Sequence, residues 1–374
     1  MIHTLIPSRI RLALLVFLMS GAALSSQEAA TQRIAAPPIK PFPAPDIILQ
    51  DAKHKETKSG VQLQGGQLTI MSGVGTPTVI NALSFSADGN TLAAAKDFGR
   101  VVIWNVPGKK FLRALDTGQG VVNAVAISPD GKTVATGGKG DQLSVKIWDV
   151  ATGKIPKELK NSQAPISSLD YDETGKWLVV VDNNGVLRVF NSAGWEPTLT
   201  LNNIRASTMS QDRKRLVTVD EKELAMWTCS SWTKVHNSPV AKNALLLAAH
   251  TASDRLGVYQ FKSMRIVRES TGDLILERAD FFPKNFTWRP TFAQFNIDGT
   301  LLYASMDGRL WLWNTEQNQA CSTPQMYSGT GALSPDGRWL AGAKDDSILS
   351  KERTDGVWIW ETKRLTTFCA PNAN

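Results

Sequence analysis

The chain has 374 residues, with 41 basic and 34 acidic side chains, a formal net charge of +7 and three cysteines. The charge excess is small for the length and no basic run exceeds a few residues, which excludes the clustered cationic face of a nucleic-acid binder. Mild basicity of this kind aids solubility or attraction to an anionic surface, and three cysteines are too few to frame a disulfide-stapled domain.

In chain order, the first element is an export signal. Arg9 and Arg11 precede an apolar run at residues 12–24, and Ala23 and Ser25 supply the small residues a signal peptidase inspects. The run falls short of the roughly 20 apolar residues that span a bilayer. Residues 1–25 are therefore expected to be cleaved, leaving an extracytoplasmic chain (periplasmic or secreted) that does not span a membrane. Residues 26–66 carry Pro37, Pro38, Pro41, Pro43 and Pro45 and then a polar stretch with Lys53, Lys55, Glu56 and Lys58. This composition predicts a disordered linker. Globular chain is expected from residue 67 to residue 374, long enough to bury about three-quarters of its unfolded surface in one domain.

Within that domain a short apolar run ends six times on an aromatic followed by a polar residue: Trp104-Asn105, Trp148-Asp149, Phe190-Asn191, Trp227-Thr228, Trp313-Asn314 and Trp360-Glu361. A seventh run, residues 264–267, fits the frame without the aromatic. Spacings from Trp104 through Val267 to Trp360 are 44, 42, 37, 40, 46 and 47 residues. A period near 40–45 residues marks a propeller, with one four-stranded sheet per repeat. The repeat cores cover about 79–105, 121–149, 165–191, 204–228, 243–268, 291–314 and 330–361.

The second repeat is the clearest. Its first run, residues 121–127, is apolar on both faces, as a strand between two sheets must be. Ser128-Pro129-Asp130-Gly131 is a hairpin turn. A small-residue strand and the Trp148 strand follow. Ser86-Ala87-Asp88-Gly89, Asp172-Glu173-Thr174-Gly175, Ile297-Asp298-Gly299 and Ser334-Pro335-Asp336-Gly337 repeat the turn, eroded to Gln211-Asp212-Arg213-Lys214 and Ser253-Asp254-Arg255 in repeats four and five. Asp97, Asp182, Asp220 and Asp307 mark the next turn.

This recurring order resembles the WD-repeat β-propeller family over about residues 67–369, in a divergent, exported, bacterial-type form. The resemblance implies an all-β fold: a single seven-bladed propeller of four-stranded antiparallel blades. It also implies that a terminal strand closes the last blade. Residues 67–71 are the favoured candidate and residues 365–369 the other. Only Trp148-Asp149 is the literal dipeptide, and no Gly-His pair precedes a repeat. The family's buried Asp-His-Ser-Trp network is therefore not expected in full, and apolar packing should hold the blades. Five of the twelve tryptophans belong to blade packing, while Trp177 and Trp339 are expected to be half-buried. Cys321 and Cys369 are the better pair for one disulfide, although their similar offsets after Trp313 and Trp360 would set them on diverging blades.

No catalytic, cofactor or metal set emerges, so no cofactor is expected. His236 and His250 are the only histidines in the globular part and neither accompanies a nucleophile motif or a metal-ligand spacing. The expected function is a non-enzymatic scaffold, monomeric in fold, that binds a protein or peptide through the propeller face where blade connections and Asp turns emerge. The candidate contact residues are Phe281, Phe282, Lys284, Phe286, Trp288 and Arg289 between repeats five and six, which mix aromatics with cations as hot spots do. Arg100, Asp141, Asn184 and Arg309 in the equivalent turns, and Lys351 and Arg353 in a long seventh-repeat turn, complete the set. The alternative is a periplasmic enzyme or a small-ligand or metal binder using the central channel. Attachment to polysaccharide would instead require exposed, coplanar aromatic rings.

Overall fold

The computed structural model describes residues 40–49, 62–64, 67–69, 79–140, 143–160, 162–238, 247–260, 263–278, 291–306, 308–323, 327–344 and 356–369. Among these residues every sequence repeat becomes one four-stranded antiparallel blade, and a small hairpin pairs Gln62–Gln64 with Gln67–Thr69. Blades 1 to 7 follow chain order, and the first strand of each lies innermost.

Blade 2 shows why the sequence folds this way. Its strands are Val122–Ile127, Thr133–Gly138, Val145–Asp149 and Lys157–Leu159. Side chains alternate between faces, so Ala124, Ala126, Ala135 and Ile147 pack toward blade 3 while Val125, Ile127, Val134 and Trp148 pack toward blade 1. A sheet between two others must be apolar on both sides. The third-strand aromatics supply much of this packing: Trp104, Trp148, Phe190, Trp313 and Trp360 are all buried, and Trp227 is half-buried. Trp177 and Trp339 are more buried than expected, at 8% and 9% exposed. Each underlies a cation on its own chain neighbour, Lys176 at 5.0 Å and Arg338 at 6.0 Å.

In blades 1, 2, 4 and 7 the first hairpin turn is built by a serine and an aspartate. Ser128 Oγ donates to Asp130 Oδ1 at 2.6 Å and accepts from Thr133 N at 3.0 Å. The eroded turn of blade 4 keeps the same pair of bonds, from Ser210 Oγ to Asp212 Oδ1 at 2.5 Å and from Arg215 N to Ser210 Oγ at 3.0 Å. What erosion changes is the left-handed position. Gly131 takes φ 72° there, whereas blades 4 and 5 place Arg213 at φ 57° and Asp254 at φ 54°.

The ring closes through the proline-rich segment. Ile47–Leu49 pairs antiparallel with the third strand of blade 7, Gly356–Glu361, and so becomes its outer strand. Just before it, Lys40–Pro41 runs parallel to the outer strand of blade 6, Gln319–Ser322. Phe42 sits edge-on to Trp360 at 5.8 Å, and Trp360 Nε1 donates to Pro43 O at 3.0 Å. Asp46 accepts from Glu361 N at 2.8 Å and from Arg364. Residues 40–49 are thus structural, where composition predicted linker. Proline removes donors and favours extended backbone, and an edge strap needs only those properties.

Closure is N-terminal, as favoured, but uses residues 47–49 and not 67–71; Gln67–Thr69 pairs with its own hairpin partner. Residues 365–369 cannot serve, because Thr362–Cys369 is a helix whose Leu365 packs beside Cys321. That helix also voids the expectation of diverging offsets for the cysteines. Cys321 is disulfide-bonded and Cys229 is a free, buried thiol; the side chain of Cys369 lies outside the described residues.

Candidate functional site

In an antiparallel blade, the turn between the second and third strands and the connection to the next blade open on the same face of the disc. On this loop face the described turns are held by aspartates. Asp182 Oδ1 accepts from Asn184 N and Val186 N, both at 3.0 Å, and Oδ2 faces Arg188 at 3.2 Å. Asp97 accepts from Asn81 Nδ2 at 2.9 Å, and Asp220 accepts from Lys222 N and Glu223 N. These carboxylates shape the turns and are not free for chemistry.

Part of the family's buried network, not expected in full, does form in blade 2, with glutamine in place of histidine. Gln119 follows Gly118 in the connector that enters the blade. It is fully buried and its Oε1 accepts from Thr136 Oγ1 at 2.6 Å, which accepts from Trp148 Nε1 at 2.9 Å. Gln119 Nε2 donates to Thr136 O and Ser144 O. In blade 4 Trp227 Nε1 donates to Thr218 Oγ1 at 3.0 Å. Trp104 Nε1 has no partner. The signal was present in sequence as a Gly-Gln pair, since an amide carries a donor and an acceptor and can replace an imidazole.

Of the contact residues expected from sequence, three are described. Arg100 and Arg309 are half-buried at the start of the third strands of blades 1 and 6, and Asn184 is exposed in the blade 3 turn. Topology places all three on the loop face. Phe281, Phe282, Lys284, Phe286, Trp288, Arg289, Asp141, Lys351 and Arg353 lie outside the described residues.

The residue that sequence reasoning missed is Phe98. It forms the tip of the Asp97–Gly99 turn, adopts φ 60° and ψ 27°, and is 59% exposed. A bulky L-residue in left-handed backbone is strained. Two more exposed apolar residues adjoin it on the same face. Val79 is 39% exposed and accepts from Asp97 N at 3.2 Å; Val121, 36% exposed, belongs to the connector that starts with Thr117, whose N–H bonds Gly99 O at 2.7 Å. The sequence signal was an aromatic beside glycine in a turn. By contrast, none of the described tryptophans is exposed. The exposed rings among the described residues are those of Phe98 and Phe111.

The central channel forms a second concavity, about 430 Å³, lined by the innermost strands. Its wall is mostly polar, with Asn81, Asn123, Ser168, Thr208 and Gln294 among the lining residues, and one charged pair faces it. Burial pushes the carboxyl of Asp170 up and opposes the charge of Arg213, while each partner favours the other's ionised form. Arg213 Nη1 also donates to Tyr171 O at 3.3 Å. Arg213 stands at the left-handed turn position and reaches back to blade 3 from there. Among the described residues no group of three acidic, histidine or cysteine side chains could hold a metal ion. No described helix is long and apolar enough to cross a membrane.

Comparison with known proteins agrees with this geometry. The WD40 family description, WD domain, G-beta repeat, matches residues 109–149. The chain is 29% identical to the small ribosomal subunit protein RACK1y of Oryza sativa subsp. japonica, over 36% of this chain and 35% of that protein. It is 23% identical to the periodic tryptophan protein 2 homolog of Dictyostelium discoideum, over 54% of this chain and 24% of that one. Protein groucho of Drosophila melanogaster is 27% identical over 30% of this chain and 15% of its own length. The chain thus spans about a third or less of the length of these relatives.

Proposed function

The chain belongs to the WD-repeat β-propellers, and on that premise we propose that it is an exported, non-enzymatic scaffold that docks a protein partner on its loop face, anchored at blade 1. The observation that carries this reading is Phe98, a large apolar side chain kept exposed in strained backbone. A rigid disc that presents such a ring loses little conformational entropy on binding. Aromatic anchors of this kind dominate interface energies. Arg100 and Asn184 would form polar surroundings, and Phe286 and Trp288 are proposed as a further anchor from the connection between blades 5 and 6. The signal-like N-terminus and the disulfide at Cys321 support an oxidising compartment. N-terminal sequencing of the mature protein should begin near residue 26.

The docking test places a photocrosslinking phenylalanine analogue at position 98 and, as a control, at the exposed Ile155 on the opposite face. A discrete protein adduct formed from position 98 and absent from position 155 supports the reading. Equal labelling from both positions sinks it. A second reading, recognition of a small polar ligand in the channel, is favoured by the Asp170 and Arg213 pair. It predicts protection of the fold by that ligand without any effect of Phe98→Ala.

A further inference from the structure

After the third strand of each blade, one residue donates its backbone N–H to the carbonyl before the second strand. In blade 1 Val106 N bonds Asn90 O at 2.8 Å, and in blade 5 Glu269 N bonds Asp254 O at 3.2 Å. This equivalent position holds Val106, Val150, Ser192, Cys229, Thr315 and Thr362 in the other six blades. Blade 5 alone places a carboxylate there. Glu269 is 3% exposed, and its Oε1 has no hydrogen-bond partner. An unpaired buried oxygen of this kind costs several times what a made hydrogen bond contributes.

Across the groove stands blade 4. Its strand register pairs Arg215 with Thr228 and Met226 with His236, so these side chains share the face turned to blade 5. His236 Nε2 is likewise buried without a partner. The two orphaned groups line one cavity of about 460 Å³, which has Met226 and Val235 as apolar wall.

The propeller's own repetition shows what fits. In blade 1 the register pairs Ile103 with Arg113, the counterpart of His236. Arg113 fills the groove to blade 2: its Nε donates to Val150 O at 2.8 Å and its Nη2 to Ala151 O. Val150 is the counterpart of Glu269. Blades 4 and 5 therefore combine a shorter ring where blade 1 has arginine with a carboxylate where blade 2 has valine.

We propose that the groove between blades 4 and 5 binds a guanidinium group supplied from outside the chain. Glu269 accepts its N–H donors, His236 accepts at Nε2, and Met226 and Val235 line the aliphatic stem. Asp254 and Asp212 add negative charge near Glu269, against two cations: Arg215, which lines the groove with its Nη1 3.2 Å from Met226 Sδ, and Arg268, 3.8 Å from Asp254. The planar fork of a guanidinium can reach acceptors on two walls, which a compact ammonium does less well. This groove opens among the turns of the face opposite Phe98, so the inference stands independently of the docking surface.

The test is calorimetric titration of the folded protein with agmatine, with a blocked Gly-Arg-Gly peptide, and with butylamine. Agmatine and the peptide should both bind, and butylamine should bind at least about tenfold more weakly. Binding of the peptide alone would assign the guanidinium to a partner chain; binding of both admits a free compound. Glu269→Gln, nearly isosteric, should weaken agmatine about tenfold or more. His236→Arg should fill the groove as Arg113 does, abolishing agmatine binding while raising the melting temperature. No saturable heat with either guanidinium probe, equal affinity for butylamine, or unchanged agmatine affinity in His236→Arg would overturn the assignment and leave a groove filled by water.

Discussion

Phe98 makes a prediction in which stability and function move apart. Its φ of 60° suits glycine, so Phe98→Gly should stabilise the fold by about 1 kcal/mol, measured by urea denaturation, even as it removes the anchor. A loss of stability would show that the ring packs against its own blade. Glu269 makes a second. Burial, with Asp254 and Asp212 adding to it, raises its pKa from 4.5 to about 7. The folded state then holds a proton that the unfolded chain releases, so stability is greatest below about pH 4.5 and falls as pH rises to 7. Glu269→Gln should remove that dependence and be more stable than wild type at pH 8 by about 2–3 kcal/mol, with the difference vanishing near pH 4. Denaturation midpoints at the two pH values decide it. Both residues were visible in the sequence, but neither role was. An aromatic at a turn tip and a glutamate after a strand look ordinary until backbone angles and the equivalent positions of six other blades stand beside them.

The blades were legible because their signal is repeated and local. The Asp-Gly turns, small-residue strands and terminal aromatics each reflect one physical need within about 45 residues. The strap was not legible, since its partner strand lies more than 300 residues away and its prolines have the composition of a spacer. Its contribution is measurable. Phe42 is 6% exposed and packs on Trp360, so Phe42→Ala should cost about 2–4 kcal/mol in urea denaturation. Amide exchange should accelerate most in residues 356–361, whose outer edge the strap covers. Uniform acceleration across all blades would mean instead that the ring opens as a whole. The contact residues expected between blades 5 and 6 rested on composition alone, which identifies a sticky segment without giving its placement.

At the scale of the whole ring, the disulfide at Cys321 ties the outer strand of blade 6 at the seam where the strap also docks. Reduction should lower the urea midpoint by an equivalent of about 2–4 kcal/mol, and Cys321→Ser should be insensitive to reductant. An unchanged midpoint on reduction would make the bond incidental. The seam also orders events in time. Trp360 Nε1 bonds Pro43 O across 317 positions, and Arg338 reaches Asn90 across 248. Residues 47–49 are made before any blade and pair only once Gly356–Glu361 has been made. A nascent chain that stops before Gly356 lacks the strand on which the strap pairs, leaving strand edges open to proteases and to other copies. The fold thus withholds its clasp until the last strand of blade 7 has been made.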